Sequence, residues 1–258
     1  MEIVSFLLIV GHNNYQKTVF FRQTYTLLNS VASSTNSWRS YFNLKEENEK
    51  LSQQNVELKN EIEKLKIYAQ LAHPDSLTVD GNFVYRPARN VNANFNKTKN
   101  YITLNKGLVD GINREMAVCS KDGVIGVVQN VNRHNAIVLP LINVSLRVSA
   151  KVKKNGYYGS LQWDGSDYRY SYLNDIPFHV SVEQGDTIVT SGFSSIFPEG
   201  ELIGFVETVD RETANFLSIK VKLAADFRKI SDVYVIEDKY KGEKKQLEAT
   251  DYEEEKNN

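Results

Sequence analysis

The stretch Val144-Ser-Leu-Arg-Val-Ser-Ala-Lys-Val152 places an apolar residue at every second position, with Ser145, Arg147, Ser149 and Lys151 between them. Successive side chains of a strand point to opposite faces, so this alternation predicts a strand buried on one face and wet on the other. Leu217-Ser-Ile-Lys-Val-Lys-Leu223 repeats the pattern, with Lys220 and Lys222 outward. Further short β-branched runs are Tyr101–Leu104, Met116–Ser120, Val124–Val131, Ala136–Leu139, Tyr157–Trp163, Thr187–Thr190, Leu202–Val209 and Val233–Ile236. Asp122-Gly123, Asn155-Gly156 and Asp164-Gly165 punctuate them. Glycine accepts positive φ, so each pair predicts a hairpin joining antiparallel strands. About ten or more short strands at this spacing predict barrels or a sandwich between Phe83 and about Glu237.

Upstream the period changes. Leu44, Leu51, Leu58 and Leu65 fall seven apart, and Asn48, Asn55, Ile62 and Ala69 fall seven apart and four after each leucine. This is a heptad seam with leucine at d. Lys45, Glu47, Lys59, Glu61 and Lys66 occupy e and g positions, and the outer faces are polar, so only the seam calls for burial. A lone amphipathic helix packed on its own domain shows similar spacing, but its apolar stripe is wider than a and d alone. Asparagine at successive a positions is costly against an apolar core, whereas Asn facing Asn across a parallel pair sets register and favours two strands. The seam therefore predicts a dimeric coiled coil over 44–73, ended at His73-Pro74 because proline cannot continue a helix. From Leu44 to Ala72 it would extend about 40 Å at 1.5 Å per residue.

Residues 15–43 contain neither Pro nor Gly and read as an irregular helical linker. Before them, Ile3-Val-Ser-Phe-Leu-Leu-Ile-Val10 is apolar but far shorter than the ~20 residues of a membrane-spanning helix. Glu2 stands where a signal peptide would carry basic residues. The segment 1–14 reads as the last turns of a longer hydrophobic anchor helix, with an apolar element packed on the body as the alternative. After Ile236 the chain becomes highly charged and ends in Asp251-Tyr-Glu-Glu-Glu-Lys-Asn-Asn258, a composition that predicts a mobile tail over 238–258.

Composition narrows the function. The chain holds 31 basic and 32 acidic residues, so no broad field exists to attract nucleic acid. Cys119 is the single cysteine, which rules out an intramolecular disulfide and a thiolate cluster within one chain. Its setting in Met116–Ser120 reads as core. His12, His73, His134 and His179 show no zinc-site spacing. For catalysis the combination to name is His134 or His179 with Ser191, as a serine hydrolase on a two-barrel fold would require. Ser191 lacks the glycine-flanked context of a nucleophile. Tyr157, Tyr158, Trp163, Tyr168, Tyr170 and Tyr172 are joined locally only by Arg169, which suits a packed strand face or a protein contact better than base stacking. No cofactor motif is present: Gly107 to Gly111 and Gly123 to Gly126 open no helix and no P-loop lysine follows them.

Three segments resemble the MreC rod-shape family. Leu104-Asn-Lys-Gly-Leu-Val-Asp-Gly-Ile112 resembles its N-x-G-x-x-D-G-V segment, and Asp122-Gly-Val-Ile-Gly-Val-Val128 its G-x-x-G-x-V hairpin. Gly185-Asp-Thr-Ile-Val-Thr-Ser-Gly-Phe-Ser-Ser-Ile-Phe-Pro-Glu-Gly-Glu-Leu-Ile-Gly204 is similar to the long signature G-D-x-V-x-T-S-G-x-x-x-x-F-P-x-G-x-x-I-G. Asn13–Phe21 also looks like the segment beyond the membrane helix in MreC proteins of the Bacteroidota type. The resemblance implies a mainly β fold, with two small β-barrel domains preceded by an N-terminal α-helical coiled coil. The expected layout is a first barrel over 80–152, completed by strands from about 205–237, and a second over 153–204. It further implies a non-enzymatic scaffold of wall elongation, anchored in the inner membrane with its bulk in the periplasm. Homodimerisation follows, as do MreD, an elongation-class penicillin-binding protein and the MreB system as partners. The motif residues Gly107, Asp110, Gly111, Gly123, Gly126, Gly185, Asp186, Thr190, Ser191, Gly192, Phe197, Pro198, Gly200 and Gly204 read as architecture rather than as a binding site. The competing functions are a two-barrel hydrolase and a soluble coiled-coil adaptor.

Replacing Asn48 and Asn55 by Ile is expected to strengthen association while loosening the choice of oligomer. The readout is the melting temperature, and no change in either variant would set these residues outside the interface.

Overall fold

The computed structural model describes residues 44, 46–65, 83–194, 196–210, 215–244 and 246. Within them the chain forms strands β1 (Phe83–Asn94), β2 (Tyr101–Leu104), β3 (Ala117–Cys119), β4 (Val124–Val131), β5 (Ala136–Pro140) and β6 (Arg147–Val152). Then follow β7 (Tyr158–Gln162), β8 (Tyr170–Pro177), β9 (Thr187–Thr190), β10 (Leu202–Asp210), β11 (Phe216–Leu223) and β12 (Asp232–Asp238). All neighbouring pairs are antiparallel, and they close two barrels in the orders β1-β12-β3-β4-β5-β2 and β10-β11-β8-β7-β6-β9. Closure leaves no continuous free edge to template aggregation.

Both barrels are filled by the residues that the period of two turns inward. Ile102, Val118 and Val138 in the first and Ala150, Leu173 and Ile219 in the second are fully enclosed. Cys119 belongs to this core, and burial pushes its thiol pKa well up. The three predicted turns join hairpins β3–β4, β6–β7 and β7–β8, with Gly123, Gly156 and Gly165 at positive φ.

The expected domain boundaries need correction. β6 was placed in the first barrel, yet Val148 lies opposite Leu161 on β7 and Ala150 opposite Thr190 on β9. A strand joined to the next by a tight Asn-Gly turn has to stay in that strand's sheet, so the boundary lies before β6. β10 and β11 also belong to the second barrel, pairing with β9, with each other and with β8. Only β12 returns to the first barrel, between β1 and β3. The predicted runs leave out two strands: β1, where Arg86, Pro87, Arg89 and three asparagines break the apolar pattern, and β8, whose buried positions include Ser171 while its tyrosines point outward. The charged tail begins later than 238: Asp238 ends β12 and Lys244 pairs with it at 3.0 Å, while the Lys241 ammonium donates to the Glu115 carbonyl at 2.7 Å. Segments 1–43 and 66–82 and the chain beyond Gln246 lie outside the described residues, and with them Ala69, the anchor remnant, the linker and the end of the seam.

The motif residues hold strands and turns together. A Cβ on Gly126 would stand 2.1 Å from the Leu139 carbonyl oxygen, and one on Gly204 2.1 Å from that of Lys222, so β4–β5 and β10–β11 approach more closely than any side chain allows. Asp110 closes the turn after Gly107 by accepting from the Gly107 N–H at 3.0 Å and from Lys106 at 2.8 Å. These bonds, led by that from Lys106, hold its carboxyl below the usual range. Asp186 similarly accepts from the Glu183 N–H at 3.0 Å, while Gly111, Gly185, Gly192 and Gly200 occupy left-handed turn positions. Thr190 donates to the Pro198 carbonyl and accepts from the Glu201 N–H at 2.9 Å, and Phe197 and Pro198 are buried behind it.

Two outcomes follow. Gly126→Ala is expected to destabilise the first barrel by about 3 kcal/mol or more, because the clash is with backbone and cannot be relieved by a rotamer change; denaturant unfolding measures it. The Asp110 contribution exists above the unfolded carboxylate value and is lost as pH falls through the lower folded one. Unfolding midpoints of the native chain should therefore drop below pH ~4 more steeply than those of Asp110→Asn.

Candidate functional site

Helix α1 (46–65) carries the predicted seam, and the structure leaves that seam open. Leu51, Leu58, Ile62 and Leu65 are 52%, 57%, 51% and 59% exposed, and Leu44, Asn48 and Asn55 are exposed as well. Together the leucines and Ile62 form a continuous exposed apolar stripe along one line of the helix.

The outer faces are not all solvated, contrary to the sequence-based expectation. Val56 and Glu63 are 6% and 5% exposed, and Lys59 and Asn60 are half-buried. These four residues sit at i, i+3, i+4 and i+7, a second stripe roughly 130° around the axis from the first at 3.6 residues per turn. That stripe docks on the first barrel. Asn60 donates to the Tyr85 carbonyl at 3.2 Å and accepts from the Tyr85 N–H at 2.9 Å. Over Phe83–Arg89, β1 is paired on one side only, with β12, so every second residue turns its backbone groups toward the open side. Asn60 satisfies Tyr85 there, and two residues on Pro87 has no N–H to satisfy. The helix thus docks on its own barrel, but through a different face from the leucine seam. The signal for this was Val56, the one aliphatic side chain of 46–65 that lies off a and d.

Lys59 enters a half-buried cluster at the meeting of the two barrels. Its ammonium donates to the Tyr234 hydroxyl at 2.7 Å and lies 3.8 Å from the Tyr234 ring centre, 5.0 Å from that of Tyr85 and 3.8 Å from Glu201. The Tyr234 hydroxyl donates in turn to the Ser120 carbonyl at 2.7 Å, and Tyr85 donates to Glu201 at 3.4 Å. Burial first, and the nearby Glu201 carboxylate with it, raises both tyrosine pKa values, which keeps the phenols neutral as donors. Gly123 presses on the same place, since a Cβ there would stand 2.5 Å from the Leu202 carbonyl oxygen.

The pairing that a hydrolase would need is not formed. The Ser191 hydroxyl donates to the Ser149 hydroxyl at 2.7 Å and accepts from the Phe193 N–H, while His134 lies in the β4–β5 turn of the first barrel and His179 packs edge-on to Tyr157 and Phe178. Among the described residues no group of three His, Cys, Asp or Glu is placed to hold a metal ion, and no helix is long and apolar enough to cross a membrane. Tyr168, before β8, and Tyr170, at its start, gain cations that chain order hid. Lys220 from β11 lies 4.4 Å from the Tyr170 ring centre, and Arg228 lies 4.3 Å from that of Tyr168. Trp163 by contrast is core, donating to the Asp167 carbonyl at 3.0 Å. Tyr158 and Phe193 stay exposed, with their rings 4.6 Å apart.

Residues 91–237, more than half of the chain, match the family described as "Rod shape-determining protein MreC, barrel core". The cell shape-determining protein MreC of Listeria monocytogenes is 32% identical over 139 residues, 52% of this chain and 47% of that protein, so the match spans about half of the relative's length. A solved MreC structure from Listeria monocytogenes shares the fold with a TM-score of 0.61 and 28% identity, covering 76% of this chain and 94% of that one. A chain in the complex between Penicillin-Binding Protein (PBP2) and MreC from Helicobacter pylori has the same fold, with a TM-score of 0.50 and 17% identity over 61% of this chain and 99% of its own. Two closed barrels in this strand order, the glycine-built contacts that shape them and the match across both together make the chain a member of the MreC family of cell shape-determining proteins.

Proposed function

We propose that the chain is a non-enzymatic scaffold of the cell-shape machinery. It pairs with a second copy along the heptad seam of Leu44, Asn48, Leu51, Asn55, Leu58, Ile62, Leu65 and Ala69, and presents its barrels to wall-elongation enzymes in the periplasm. On the family reading it is held at the inner membrane, with its bulk in the periplasm. The observation that carries this reading is the open leucine seam on a helix whose other stripe is already engaged by its own barrel. A helix docked only for its own stability would bury its leucines and expose Val56 and Asn60. Here the reverse holds, which leaves the leucines available to a parallel partner with Asn48 and Asn55 in register.

An elongation-class penicillin-binding protein is the enzyme partner best supported, because the Helicobacter pylori relative of the same fold was solved in complex with PBP2. MreD and the MreB system complete the assembly on the family reading, and nucleic acid has no part in it. The motif residues from Gly107 to Gly204 serve this function by shaping the barrels.

Mass in solution tests the reading. At micromolar concentration the chain is expected at twice its monomer mass of 29.4 kDa, and the double variant Leu58→Asp, Leu65→Asp at 29.4 kDa with its β signal intact. A native chain that stays monomeric would sink the proposal.

A further inference from the structure

We infer that Lys59 is a positioning residue that ties α1, the stalk helix, to both barrels at once. The inference concerns contacts within one chain and stands apart from whether a second copy binds the seam. One ammonium group meets three bodies here. Its own stem belongs to α1, Tyr85 on β1 and Tyr234 on β12 belong to the first barrel, and Glu201 leads into β10 of the second. Each contact uses the positive charge: two aromatic faces, a phenol oxygen and a carboxylate all attract a cation, in a site where the lysine and Glu201 side chains keep only 32% and 18% of their exposure.

Its partners are themselves held. Glu201 is clamped by Thr190, whose hydroxyl accepts from the Glu201 N–H at 2.9 Å and whose N–H donates to the Glu201 carbonyl at 2.9 Å. Tyr234 is pinned to the Ser120 carbonyl, in the turn whose Gly123 abuts Leu202. Pulling Lys59 out therefore leaves a half-buried carboxylate facing the Tyr85 phenol, while Val56, Glu63 and the Asn60 bonds stay on the barrel. The long signature around Thr190 to Glu201 acquires a role in this arrangement, as the part of the second barrel that the stalk grips.

The Tyr85 amide reports the state of the joint, because its proton is bonded to the Asn60 side chain and not to a neighbouring strand. Hydrogen exchange on the full chain is compared for native protein, Lys59→Met, Lys59→Arg and Glu201→Gln. Lys59→Met keeps the length of the stem and removes the charge. Exchange at Tyr85 and along the α1 amides is expected to speed up about tenfold or more, while amides inside β4, β7 and β11 stay within about twofold of native. Lys59→Arg, which keeps a cation able to meet rings and carboxylate, should restore most of the protection, and Glu201→Gln should fall between. Tyr85 protection unchanged in Lys59→Met would overturn the inference. So would a uniform acceleration of all barrel amides, or failure of Lys59→Arg to recover more than Lys59→Met; if Lys59→Met does not fold, native-like Tyr85 exchange in Glu201→Gln decides against it.

Discussion

The first barrel closes on a strand that follows the whole second barrel in the chain. β1 and β3 have no direct pairing, and the gap between them is filled by β12, which pairs Tyr85 with Ile236 on one side and Val118 with Val235 on the other. An open sheet of five strands would leave two edges of unsatisfied backbone and a half-wet core, so this last strand carries the burden of closure. Its pairing with β1 joins residues some 150 positions apart, a non-local contact whose loop-closure entropy is offset by the core it completes. The second barrel is in effect an insertion between β5 and β12. Its termini must lie beside the first barrel, and that requirement brings Glu201 and Leu202 to the turn at Gly123.

From this closure follows the place where the helix docks. β12 contributes Tyr234 beside Tyr85, with ring centres 5.7 Å apart, and the half of β1 that pairs with β12 alone has its other side open to Asn60. A helix whose second stripe offers an amide and an ammonium fits a strand edge next to two phenols. The leucine stripe is left outside because the barrel offers an edge and polar rings rather than an apolar groove. The stripe that meets the barrel and the leucine stripe thereby lie on separate faces of one element.

The signature residues earn their identities through backbone proximity and turn closure. Gly126 and Gly204 are required where carbonyl oxygens of the adjoining strand occupy the space of a Cβ, and Thr190 and Asp110 hold turns through side-chain bonds to backbone. Ser191, the residue most open to a catalytic reading, spends its hydroxyl on Ser149 across the β6–β9 pair. The leucines of the seam and the Tyr158–Phe193 pair are among the large apolar side chains that stand exposed.

What the sequence alone determined is whatever depends on neighbours a few residues apart. The period of two located most strands, the Asx-Gly pairs located the turns, and the heptad located the seam, because each is a local geometric repeat that survives without knowledge of the rest of the chain. It did not determine which sheet a strand joins. β6, β10 and β11 look the same from sequence whichever barrel holds them, and β8 hid because its buried serine and outward tyrosines invert the usual pattern. Nor did it show that Lys59 turns inward or that Lys220 and Arg228 come to the tyrosines of the second barrel, since residues far apart in the chain meet only after closure. Periodicity says which face of an element is buried. Only the tertiary structure says against what, because that is set by non-local pairing and by the carbonyls, rings and charges that closure brings together.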